Sequence, residues 1–355
     1  MSRKSQNMIK YIIKRVLLMV PMLIVVLIFT WFLSRMMAVN PYVNRIGLTM
    51  DRDVYERELK RLGYYDPWYI QLVTYLRNFF TGQWGESYIV VPDRSVLEII
   101  GIIFPKTIEL MIFSIIITPI LGVKLGISSA KNRGKPKDTG IRFAAVLGAG
   151  FPVFWIATLI QRFVGLSLKT FTLGTINLEV VFGNTPGLPK PVPSGGFSTG
   201  FRILDSFFYN DQIFLWDTLL HLILPVTCMI FVSLAGLTRL TRSSMLEALD
   251  QDYIRTARAK GVLEKDVVNK HALRNALLPT SNLIIGGTAA ALLGSLFIEV
   301  TFNYKGFGYY MVQSIFQGDY LLINGLLVFA IIIILTGTLV TDVMYTIIDP
   351  RIIYT

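Results

Sequence analysis

The chain has 355 residues, 53% of them hydrophobic and only 16% charged, with a formal net charge of +11. Soluble domains average about 25% charged residues, so a length that would suit two soluble domains is spent on apolar runs instead. The basic excess then reads as the Lys/Arg enrichment of cytoplasmic membrane-protein loops, and nucleic acid is excluded as a partner. The single cysteine, Cys228, rules out an internal disulfide framework and reads as a small core residue.

About 20 apolar residues cross the hydrocarbon core, and six runs meet that length. The first covers 16–33, after Lys10, Lys14 and Arg15. It is long for a signal peptide, and MMAVNPY is a poor cleavage site, so 1–37 reads as a cytoplasmic N-terminus with a retained first helix. Residues 38–103 form an extracytoplasmic loop containing the aromatic-rich stretch RLGYYDPWYIQLVTYLRNFFTGQWGES. The remaining core, 104–350, carries five further spans. The second covers 107–127, with Pro119 inside and Lys124 near enough to an end to snorkel. The third, 141–164, contains Gly148, Gly150 and Pro152. Residues 166–218, with NTPGLPKPVPSGG, favour turns over helix and read as an extracytoplasmic insertion that touches a binding protein or caps the outer face. The fourth, fifth and sixth spans cover 219–237, 278–297 and 321–345.

Six spans place both termini on one side, and the short loops say which. The N-terminus carries Arg3, Lys4, Lys10, Lys14 and Arg15 without an acid. The loop after the second span has Lys131, Arg133, Lys135, Lys137 and Arg142 against Asp138. The loop after the fifth has only Lys305 as a base. Both termini, 131–142 and 243–275 are therefore expected in the cytoplasm.

The segment 243–279, SSMLEALDQDYIRTARAKGVLEKDVVNKHALRNALLP, is the best-patterned cytoplasmic feature. Leu246, Leu249, Tyr253 and Ala257 share a helix face by spacing. Ser243 and Ser244 suit the start of that helix, and Gly261 suits its end. The pattern predicts a short amphipathic helix, a Gly turn, and a second helix leading to Pro279. By pattern alone, a helix lying on anionic lipid is the competing reading.

Arg255-Thr256-Ala257, three residues, then Gly261, resembles the cytoplasmic coupling-loop motif of ABC importer permeases, which reads Glu-Ala-Ala, three residues, Gly, and later Leu-Pro. Two departures stand out: Arg255-Thr256 replaces Glu-Ala, and Leu278-Pro279 comes about five residues late. Both are familiar in the dipeptide/oligopeptide (peptide/opine/nickel) branch. The wording SSMLEALDQDYIRTARAKG with HALRNALLP is similar to that branch, as are LGAGFPVFW, HLILP and IDPRI. The resemblance covers about 9–350 and is weakest over 166–218. It implies an all-α membrane protein with six transmembrane helices, the type I ABC importer permease architecture. It also implies a second homologous permease, two ABC ATPase subunits that bind ATP and Mg, and an extracytoplasmic solute-binding protein. Asp252, Tyr253, Arg255, Thr256, Ala257, Arg258, Ala259, Lys260 and Gly261 would form the ATPase-coupling interface. Tyr253 and Ala257 would dock in an ATPase groove, with Arg255, Arg258 and Lys260 fixing orientation. Members of the branch also carry oligosaccharides, nickel or opines.

The remaining candidates are weaker. The chain has no G-x-x-x-x-G-K-[ST] loop, so ATP hydrolysis and its cofactor belong to the partners, and the chain itself is not an enzyme. His221 and His271 lack metal-ligand spacing and read as polar contacts. Glu109 reads as a solvated acid near the outer helix start; Asp342, near the inner end of the sixth span, stays open between a polar contact and a functional acid. Almost no ionisable residue lies at mid-span, which argues against an ion-coupled secondary carrier. Gly286, Gly287, Ala290, Ala291 and Gly294 give the fifth span a small face for close packing or for lining a path. Trp68, Tyr69, Phe79, Phe80 and Trp84 read as an interfacial belt.

Overall fold

The computed structural model describes residues 3–36, 52–61, 63–165, 172–173, 176–177 and 198–348. Most of the Gly/Pro-rich part of the insertion, the MMAVNPY stretch beyond its first residue, and the IDPRI sequence after its first residue lie outside the described residues. The principal helices are α1 (Arg3–Met36), α2 (Arg52–Arg61), α3 (Trp68–Phe80), α4 (Val96–Lys131), α5 (Pro136–Gly150) and α6 (Val153–Ile160). They continue with α7 (Arg202–Phe208), α8 (Gln212–Leu249), α9 (Asp252–Ala259), α10 (Leu273–Thr301), α11 (Phe307–Gln317) and α12 (Tyr320–Ile348). Two-residue strands pair antiparallel at 86–87 with 94–95 and at 172–173 with 176–177.

Among the described residues, α1, α4, α8 and α12 are long and apolar enough to cross a membrane, and α5 with 153–164 makes a bent pair that brings the number to five if it is one span. The expected fifth span coincides with α10, whose 29 residues suffice by length. Three sequence expectations change here. The third span is not one straight helix: it breaks between Gly150 and Val153 with a bend of 109°. Pro152 supplies no N–H to continue the ladder and drives Phe151 to extended backbone, φ −105° and ψ 142°. The boundary expected at 103/104 falls inside α4, which begins at Val96 because Ser95 Oγ accepts the Glu98 N–H at 3.2 Å. That Ser-x-x-Glu spacing is a helix-start signal. Ser243 and Ser244 cap nothing, since α8 runs through both to Leu249.

The chain divides into two compact units. The first comprises the described residues of 1–106 and 305–340. Its core packs Val96, Ile99, Ile100 and Ile103 with Phe307, Leu322, Leu326 and Ala330. Asp319, fully buried before α12, accepts from Ser87 Oγ at 2.6 Å. It also accepts from the backbone N–H groups of Tyr88, Ile89, Val90 and Leu322 at 3.1–3.3 Å. The Tyr88 hydroxyl donates to Gly318 O and accepts from the Tyr320 N–H, closing the same junction.

The second unit comprises the described residues of 107–304 and 341–348, with α8 as its axis. Gly122 and Gly126 of α4 make a G-x-x-x-G seam against it. A Cβ at Gly122 would stand 2.7 Å from the Leu237 side chain, and one at Gly126 would stand 2.5 Å from that of Thr241. Gly148 of α5 meets Phe231 and Ala235 of α8 in the same way. Such close backbone approach is how helices associate where lipid offers no hydrophobic drive.

Candidate functional site: the coupling platform

The chain leaves α8 at Asp250, and Gln251 in extended backbone starts α9. Asp252 sits in its first turn, where a negative charge suits the helix dipole. The end is a Schellman closure: Gly261 N–H donates to Arg258 O at 3.0 Å and Val262 N–H to Ala257 O at 3.2 Å. Gly261 takes φ +75°, as its expected helix-ending role requires.

The face expected to dock is rearranged. Ile254, which the spacing argument passed over, is fully buried, and Ala257 is 8% exposed beneath the helix. Both pack on Ala130, Met245, Ala248, Val267, Val268 and Ala272. The reason is the break at Asp250–Gln251, which resets the helical phase between Leu249 and Tyr253. Ala257 therefore seats α9 on its own chain. The outward face carries Asp252, Tyr253, Arg255, Thr256, Arg258, Ala259, Lys260 and Gly261.

Arg258 ties α9 to the following turn, with Nε and Nη2 donating to Glu264 at 3.1 and 2.8 Å. The guanidinium holds the Glu264 carboxyl below its usual value, and the carboxylate holds Arg258 above its own. After Glu264–Asp266 the chain makes a π-helical stretch, Val267–Ala272, whose wider turn buries Val267, Val268 and Ala272 under α9. The second helix does not stop at Pro279: α10 passes through it to Thr301.

The second unit also holds a half-open cavity of about 410 Å³ lined by α4, α6, α8 and α10. Ser114, Thr118 and Ser233 contribute hydroxyls to an otherwise apolar wall, and Gly287 and Ala291 of the small face reach it. Among the described residues, no charged side chain lines it.

Other sequence candidates are placed as follows. Glu109 is no solvated acid: it is 4% exposed, and its Oε1 accepts the Ile203 N–H at 2.7 Å, holding the start of α7. His221 is buried, with Nδ1 2.7 Å from Asp217 O, while His271 is exposed. Phe79 stacks on Trp84, whereas Trp68, Tyr69 and Phe80 face outward. Asp138, read only as one acid in a basic loop, is 1% exposed and paired with Arg242. No local pattern marks that pair; Gly148 is where α5, the helix that carries Asp138, lies against α8.

Residues 122–354 match the family described as binding-protein-dependent transport system inner membrane component. The chain is 33% identical over 347 residues to the oligopeptide transport system permease protein AppB of Bacillus subtilis, covering 98% of this chain and all of that protein. It is 33% identical over 350 residues to the dipeptide transport system permease protein DppB of Alkalihalophilus pseudofirmus, with 98% and 100% covered. It is 31% identical to the di/tripeptide transport system permease protein DppB of Pseudomonas aeruginosa, with 97% and 99% covered. A helical, multi-pass chain with this match from end to end belongs to the binding-protein-dependent transport system inner membrane components, as a transmembrane permease subunit.

Proposed function

We propose that this chain forms half of the translocation path of an ATP-driven importer for di- or oligopeptides. The observation that carries the substrate class is its similarity, over nearly full length, to permeases named for dipeptide and oligopeptide transport. It works with a second homologous permease, two ABC ATPase subunits that bind ATP and Mg, and an extracytoplasmic solute-binding protein. It performs no catalysis itself.

The termini and α9 lie on the cytoplasmic side, where the Lys/Arg-rich short loops put them. Coupling runs through the outward face of α9. Tyr253 supplies the apolar contact, and Arg255, Arg258 and Lys260 supply charge that orients an acidic-rimmed groove of the ATPase. The buried Ile254–Ala257 underside makes α9 a rigid lever rather than a loose loop, which a two-state transmission needs.

The test is stepwise reconstitution into liposomes. The chain alone should show neither ATP hydrolysis nor uphill uptake. The four-subunit core should hydrolyse ATP, and a peptide-loaded binding protein should stimulate it. Uphill uptake by the lone chain under an ion gradient would overturn the importer reading.

A further inference from the structure

Asp138 opens α5 in its first turn, and its carboxylate is held from three sides. Arg242 of α8 grips it bidentately, Nε to Oδ1 and Nη2 to Oδ2, both at 2.8 Å. Ser129 Oγ, from the last turns of α4, donates to Oδ1 at 2.5 Å, and the Gly134 N–H donates to Oδ2 at 3.1 Å. One buried carboxylate thus joins the cytoplasmic ends of three helices. Arg242 lies two turns before the end of α8, whose last turns, with Met245 and Ala248, form the floor under Ile254 and Ala257. From Asp138, α5 leads through the 109° junction to Val153, which lines the cavity.

Burying an ion pair costs desolvation that its attraction only offsets, so an apolar contact there would stabilise the fold as well or better. What a planar, bidentate Arg–carboxylate pair adds is a fixed direction and register between two helices. The glycine seams of α4 and α5 on α8 supply close backbone approach but no charged contact between the helices. We propose that the Asp138–Arg242 pair is a coupling strut, a positioning contact that carries displacement of the α9 platform along α8 into α5 and so to the cavity wall at α6. The proposal rests on the permease reading and gives it a transmission path within this chain.

The experiment uses the full importer in proteoliposomes, with its sibling permease, ATPases and binding protein. The variants are Asp138→Asn, Arg242→Gln, Arg242→Lys, the double variant Asp138→Asn/Arg242→Gln, and the exchange Asp138→Arg/Arg242→Asp. Three quantities are read: ATPase co-purification, ATP hydrolysis without binding protein, and peptide imported per ATP hydrolysed. Asp138→Asn and Arg242→Gln should keep the first two within about twofold, while import per ATP falls about tenfold, the scale of a typical coupling free energy. The double variant should be no worse than either single one, the exchange should recover part of the loss, and Arg242→Lys should fall between. Unchanged import per ATP in every assembled variant would overturn the strut. So would import lost only in proportion to ATPase co-purification, since the pair would then be a brace of the fold alone. Wild-type complex that hydrolyses no ATP would sink the permease reading, and the strut with it.

Discussion

Asp319 and Asp138 are both buried, at 0% and 1% exposure, yet different chemistry neutralises their charges. Asp319 is surrounded by neutral donors, four backbone N–H groups and one hydroxyl, four of which come from the single stretch 87–90. Asp138 is matched by a full opposite charge on another helix, with a hydroxyl from a third. Backbone amides cannot leave without unwinding the chain that carries them, so Asp319 locks a junction. A guanidinium held bidentately by a carboxylate on another helix fixes one helix against the other, so Asp138 joins helix to helix. The difference teaches that burial of a carboxylate does not say what it is for; where its partners sit in the chain does.

The largest effect should come from breaking the lock. Asp319→Ala strands several buried donors at once and should cost on the order of 4 kcal/mol. It should be read as loss of monodisperse protein on heating in detergent. Asp319→Asn keeps an acceptor on one side and should cost about half as much, with import per ATP unchanged in whatever protein assembles. A fall in import per ATP there would erase the distinction between the two aspartates.

A steric route sharpens the comparison next. Gly126→Ala sets a Cβ 2.5 Å from Thr241 Cβ and 3.1 Å from the Arg242 backbone nitrogen, which pushes α8 off α4 beside the ion pair. It should cost roughly 2 kcal/mol in thermal stability and lower import per ATP as Asp138→Asn does. Unaltered import would mean that the seam and the pair act independently.

Gly261→Val tests the lever itself. A Cβ there meets nothing within 4 Å, so the penalty is the left-handed backbone alone, about 1–2 kcal/mol at the end of α9. Capture of the ATPase pair should weaken while the protein stays inserted. Full capture would place the docking surface elsewhere.

The smallest effect belongs to Arg258–Glu264, whose side chains are 45% and 62% exposed. Glu264 is depressed in the folded chain, so the pair's contribution is present above the ordinary Glu pKa and is lost as pH falls through the lowered value. Glu264→Gln should cost roughly 0.5 kcal/mol at neutral pH, less in high salt, and nothing once acid has protonated the wild-type side chain. A cost that persists in acid would show that the side chain acts by packing.

The sequence by itself determined the class of this chain. Runs of about 20 apolar residues, basic short loops and a patterned charged segment were legible because each depends on composition or on spacing within a few turns. Gly261 was legible for the same reason, since a helix-ending glycine is a local requirement. Only the tertiary structure decided which face of α9 is free. The break at Asp250–Gln251 shifts the helix by a fraction of a turn, and that phase, invisible to a spacing count, turned Ile254 and Ala257 inward. It also decided that Pro152 bends the third span while Pro279 merely rides within α10, since a proline breaks or is tolerated according to what its neighbours replace. Asp138 and Arg242 stand 104 positions apart and have no mutual signal in the chain; the glycine seams that bring their helices together made them partners.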